Sequence, residues 1–153
     1  MYQSEKEKII QTNENEAFAE LEKIIADKGW TATATPPLTH YDATLTAPDG
    51  KQIYVELKKR NGVKWDTYPS AIALKVNKAK ALQEIQSETG VKVYVLIIYE
   101  ENKYLAVSLD DLLQENNVQM HRMKKNEWEK DGETDFFKCY DISIEEKEIK
   151  KYN

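Results

Sequence analysis

The chain has one cysteine, Cys139, and two histidines, His40 and His121, among 153 residues. A single thiol excludes an intrachain disulfide framework and fits a reducing cytoplasm. The three residues show no zinc-ligand spacing, and Cys139, between Lys138 and Tyr140, reads as a packing residue in a strand. No apolar run approaches the roughly 18 residues a membrane-spanning helix needs, and the N-terminus is charged and without a signal-peptide core. The expectation is a soluble cytoplasmic protein with no membrane partner. A glycine-rich phosphate loop, a Gly-x-Ser-x-Gly elbow, internal repeats and low-complexity linkers are also missing.

What remains is ordinary for a globular chain: 41% hydrophobic, 10% aromatic and 32% charged residues. The length predicts one domain over residues 1–153, large enough to bury its own core. Net charge is −5, which by itself argues against a nucleic-acid partner. Its distribution argues differently. Residues 51–80 carry a net +6, whereas residues 1–50 carry −5 and residues 81–153 carry −6. A basic segment in an acidic chain fits either a phosphate-binding footprint or a solvated loop.

Periodicity predicts a long first helix over residues 5–28, opened by a Ser4/Glu7 capping box and stopped by Gly29. Its apolar stripe is Ile10, Phe18, Leu21 and Ile25, with Ala17 and Ile24 beside it. Extended back one turn from Phe18, the stripe meets Glu14. That carboxylate either ligates something or, if the helix starts at Thr12 or Asn13, is a solvated first-turn acid. Trp30 to Ala34 is a short strand, and Lys59 to Pro69 forms a loop that mixes bases with Trp65 and Tyr68. Ala71 to Val76 is another short strand. Asn77 then caps a helix from Lys78 to Glu88 with Ala81, Leu82 and Ile85 inward. Lys78 and Lys80 fall in its first turn, where cations oppose the helix dipole unless an anion lies nearby. Val91 to Tyr99 is a continuous β-branched run, the mark of a strand covered on both faces. A Glu101-Asn102 turn, a strand from Tyr104, and a short helix capped by Ser108 follow. Further strands are expected at Val118 to Met123 and Phe136 to Ile142, a charged excursion at Glu127 to Glu133, and a terminal helix from Ile144 to Tyr152. The order of elements implies an α/β fold with a mixed sheet.

Between these elements lies a β-hairpin from His40 to Lys58 whose register can be worked out. Pro48-Asp49-Gly50 suits a three-residue loop with a type I turn and a left-handed glycine. Ala47 then opposes Lys51, and Asp42 falls across from Glu56 and His40 across from Lys58. Strand alternation gives Asp42, Glu56 and Lys58 one face with Thr44, Thr46 and Tyr54; Ala43, Leu45, Ile53, Val55 and Leu57 share the core-seeking face. A two-residue turn would shift the register and separate the carboxylates. Two carboxylates with a lysine two residues on can hold a hard cation with water and phosphate oxygens around it. The same trio can equally form a surface cross-strand ion pair worth a fraction of a kcal/mol.

Asp42 followed fourteen residues later by Glu56-Leu57-Lys58, at the end of an apolar strand after a hairpin and a helix, resembles the PD-(D/E)xK nuclease superfamily. The resemblance covers roughly residues 10–115, leaves 116–153 as an extension, and is closest in layout to the Holliday-junction-resolvase-like and phage-type members. It implies a restriction-endonuclease-like core, a mixed central β-sheet flanked by helices. It also implies Mg²⁺- or Mn²⁺-dependent hydrolysis of DNA phosphodiesters, commonly by a homodimer. Asp42, Glu56 and the backbone carbonyl of Leu57 would hold the metal, and Lys58 would assist the attack. Glu14 would be the carboxylate that such nucleases often carry on the first helix, with Glu16 and Glu20 pointing elsewhere. Lys59, Arg60, Tyr68 and Lys78 would contact DNA. Tyr41 stands where the family pattern has proline. Two other readings fit the sequence: a catalytically inactive nuclease-fold module binding nucleic acid or protein, and a charge-based structural or inhibitory protein.

Overall fold

In the computed structural model, the described residues are 5–35, 39–59, 73–114, 118–124, 134–141 and 150–152. Helix α1 (Glu5–Ile25) runs into one 3-10 turn and stops at Gly29, whose φ of 72° is the left-handed conformation that glycine adopts without strain. Thr12 and Asn13 therefore lie inside the helix, which excludes a start at either. Four strands follow: β1 (Thr31–Ala34), β2 (Ala43–Thr46), β3 (Gln52–Lys59) and β4 (Ala73–Lys75). Helix α2 (Val76–Thr89), β5 (Val93–Tyr99), β6 (Lys103–Ser108), α3 (Leu109–Leu112), β7 (Val118–Lys124), β8 (Thr134–Asp141) and β9 (Lys150–Lys151) complete the order.

Six strands form a mixed sheet in the order β1-β2-β3-β5-β6-β9, parallel only between β3 and β5. A parallel neighbour requires a crossover, and α2 lies within that connection. The apolar run of β5 sits at the centre. Val93, Val95, Ile97 and Tyr99 face one layer with Leu82 of α2 and with Leu109 and Leu112 of α3. Leu96 and Ile98 face the other, with Leu21, Ile24 and Ile25 of α1. Leu21, Leu82, Val93, Val95 and Ile97 are fully buried, each contributing about 1.5–3 kcal/mol of apolar transfer.

The expected β2–β3 hairpin forms with its expected register: Ala43 pairs Val55 and Thr46 pairs Gln52. The Gly50 N–H donates to the Ala47 carbonyl at 2.9 Å and the Ala47 N–H to the Lys51 carbonyl at 2.8 Å, with Gly50 at φ 90°. This is the three-residue loop with a left-handed third position.

Several expectations need correction. Helix α2 begins at Val76 with Lys75 as an N-cap that makes no side-chain capping bond; Asn77 lies within its first turn. Ala79 and Leu82 are its buried residues, while Ala81 and Ile85 are only half-buried. The helix enters directly from β4, and that entry sets its rotation. Residues 118–124 and 134–141 form a three-stranded sheet with β4, in the order β4-β8-β7. Through Leu74 of β4 and Tyr140 of β8, that sheet packs on the α2 layer. The last described segment is not helical at its end, because Lys150 and Lys151 pair with the β6 edge. There Tyr152, 8% exposed, donates its hydroxyl to Glu20 of α1 and meets Tyr104 edge-on. A ring with both a pocket and an acceptor outweighs the weak helical pattern of this charged segment. The excursion at Glu127 to Glu133 lies outside the described residues. Among the described residues no helix is long and apolar enough to cross a membrane.

Candidate active site

Strand β2 stops at Ala43, whereas β3 continues to Lys59, so the end of β3 lacks a neighbour on the β2 side. Asp42 fills this gap. Its N–H donates to the Val55 carbonyl at 2.9 Å, so two consecutive residues address Val55 and the chain kinks as at a β-bulge. Its Oδ2 then accepts the Leu57 N–H at 2.7 Å, doing for β3 what a strand carbonyl would have done. Thr35 secures the bend, donating its N–H to the Asp42 carbonyl at 3.1 Å and its hydroxyl to the Tyr41 carbonyl at 2.5 Å. Tyr41 stacks on Tyr54 with ring centroids 4.1 Å apart and planes 16° apart. The aromatic residue in place of proline thus pins the bend to the strand beside Glu56. The kink also ends the sequence-derived register: His40 lies past the last ladder pair, on an exposed bend, and does not pair with Lys58.

Glu56 points to the α2 face because its neighbours Val55 and Leu57 are claimed by the α1 layer. Of Asp42, Glu56 and Lys58, Glu56 alone is buried, and Asp42 and Lys58 are half-buried, which departs from a surface cross-strand ion pair. Glu56, 9% exposed, is the one buried charged residue among the described residues. Its Oε2 has no hydrogen-bond partner; the Lys78 ammonium stands 3.5 Å away as an ion pair. Burial, followed by the Asp42 charge, pushes the Glu56 carboxyl up to about 7, against the pull of Lys78 and Lys58. Asp42 is also raised by burial, and the Leu57 N–H and the two lysines oppose that rise. Asp42, Glu56, Lys58 and Lys78 therefore form one electrostatic unit.

The remaining candidates fall elsewhere. Lys59 is on the α1 side of β3, where its ammonium lies 3.6 Å from Oε2 of Glu16. Glu16 therefore reaches the end of β3, although the sequence pattern aimed it away. Glu20 engages Tyr152 and Lys23. The Glu14 side chain, and all of Arg60 and Tyr68, lie outside the described residues. Lys78, read from sequence as a DNA contact, lies against Glu56. The first-turn cation opposing the dipole of α2 was the available signal that an anion stood close by. Among the described residues no group of three His, Cys, Asp or Glu side chains is gathered as a metal cluster. Asp42 and Glu56 are the pair brought together.

A helix, a bent hairpin, a crossover helix and a buried parallel strand, with carboxylates at the hairpin's open end, constitute a restriction-endonuclease-like nuclease fold. The solved structure of Hjc, a Holliday junction resolvase from Archaeoglobus fulgidus, superimposes with a TM-score of 0.53. The match spans 86% of this chain and 92% of that one at 12% sequence identity. No protein-family model matches the sequence, and no curated protein matches it.

Proposed function

We propose that the chain is a metal-dependent DNA endonuclease. The observation that carries this reading is the buried Glu56 Oε2, without a hydrogen-bond partner and beside a second carboxylate, at the open end of a nuclease-fold hairpin. A buried carboxylate oxygen whose ion-pair partner is a lysine ammonium at 3.5 Å is under-compensated, and a divalent cation would complete it more fully. Carboxylates and carbonyl oxygens suit Mg²⁺ or Mn²⁺. Asp42 and Glu56 would hold the ion. Leu57 would add its carbonyl, which leaves β3 on the same side as the N–H bound by Asp42. When bound, such an ion supplies Lewis-acid polarisation of a phosphate and a more acidic water.

The protein's own groups do the rest. Lys58, close enough to draw both carboxyls downward, would orient the attacking water or hold charge on the phosphate. Lys59, Arg60, Tyr68 and Lys78 are the proposed DNA contacts, with Glu14 a further ligand from α1. The test is cleavage of supercoiled plasmid and of a four-way DNA junction with Mg²⁺ or Mn²⁺. Asp42→Asn, Glu56→Gln and Lys58→Ala should each abolish cleavage while remaining folded, and full activity in any of them would remove the assignment.

One observation favours a second reading, an inactive module binding nucleic acid or protein. The described residues gather two carboxylates, and a lysine already neutralises one of them. Calorimetric titration with Mn²⁺ separates the readings, because an inactive site would show no binding that depends on Asp42.

A further inference from the structure

Lys78 is unusually placed for a surface lysine. It lies in the first turn of α2, where the helix dipole disfavours a cation, and its side chain is 31% exposed. Its ammonium reaches inward over β3 to within 3.5 Å of Glu56 Oε2, the oxygen without a hydrogen bond. Lys78 is an ion-pair partner of that oxygen, and Lys58 and Lys78 are the cations whose charge bears on Asp42 and Glu56. A lysine is suited to temporary occupancy. Its charge is a point on a flexible four-carbon stem, and a partly exposed stem can swing to solvent without opening the core.

We infer that Lys78 is an exchangeable counter-cation: it neutralises Glu56 in the metal-free protein and must give up that oxygen when a divalent ion binds. The inference rests on the metal-site reading above and adds a residue from outside the hairpin. Lys78 is then a positioning residue that keeps a buried carboxylate in place and sets a threshold for metal loading. A purely structural lysine would support the fold without opposing the metal.

The test is calorimetric titration of the full chain with Mn²⁺ alone, using wild type, Lys78→Met, Lys78→Arg and Asp42→Asn. Removing a competing cation should tighten Mn²⁺ binding by about three- to tenfold in Lys78→Met. Lys78→Arg, which retains the charge, should stay within about twofold of wild type. Unchanged or weaker binding in Lys78→Met, or equal tightening in Lys78→Arg, overturns the inference. A second readout needs no altered fold. The Lys78 Nζ resonance, assigned by its loss in Lys78→Arg, should move on addition of Mg²⁺ toward that of a solvated lysine, and an unmoved resonance in a Mg²⁺-loaded protein also overturns the inference. The two levels fail differently. If wild type and Asp42→Asn both bind no Mn²⁺, the metal site itself falls and the role of Lys78 with it. If wild type binds in an Asp42-dependent way and Lys78→Met matches it, only the exchange is lost.

Discussion

Replacing Glu56 with glutamine should stabilise the metal-free protein at alkaline pH while removing cleavage. Burial and the Asp42 charge raise the Glu56 carboxyl from 4.5 to about 7. Between those values the folded protein holds a proton that the unfolded chain releases, so stability falls as pH rises through this window. Above it, the loss is complete. At about 1.36 kcal/mol for each tenfold change in proton activity, the loss is about 3 kcal/mol. Glutamine keeps the shape and carries no charge at any pH, so Glu56→Gln should recover most of that amount at pH 8 and little at pH 4.5. For a chain of this length, about 3 kcal/mol corresponds to roughly 6–12 °C in Tm. Thermal and urea denaturation of both proteins in the presence of chelator, across pH 4.5 to 8.5, measures the effect. An equal or lower Tm for Glu56→Gln at pH 8, or a gain of the same size at pH 4.5, would refute the claim that a buried, poorly compensated charge sits at this position. A stabilising but inactivating substitution is the expected trade-off when a site keeps a charge for its chemistry.

Two further substitutions probe what holds the site in place. Gly50→Ala puts a side chain at φ 90° with no atom within 4 Å of the new Cβ, so the cost is backbone strain of about 1 kcal/mol, read as a lower urea midpoint. Tyr152→Phe removes the hydroxyl that holds Glu20 and lowers its carboxyl; the loss of a charge-assisted bond should cost about 1–2 kcal/mol at pH 7, measured by denaturation, without touching the hairpin.

The hairpin was legible in the sequence because its turn chemistry is local. Pro48-Asp49-Gly50 suits the three-residue loop that forms, and alternation then assigns Glu56 and Val55 to opposite faces. The central strand was legible from its unbroken apolar run, rich in β-branched residues, and the ends of α1 and α2 from Gly29 and Gly90, both with φ of 72°. The bend at Asp42 was not legible, because it depends on Thr35, just past the end of β1, and on the Tyr41–Tyr54 stack. The rotation of α2 was misjudged by a cap that does not form, and a periodic charged tail concealed a two-residue strand. The first follows from β4, which pairs with β8 and leads straight into the helix, and the second from the β6 edge, so both involve strand partners distant in sequence.

The sequence by itself determined a hairpin that carries two carboxylates and a lysine toward its open end, once a three-residue turn sets the register from Thr46–Gln52 to Ala43–Val55. Only the tertiary structure decided that this face is covered. Helix α2 lies within the connection from β3 to its parallel neighbour; Glu56 is buried on that face of the sheet, and Lys78 of the helix stands 3.5 Å from its oxygen. The chemistry of the pair follows from that desolvation, which no local pattern encodes.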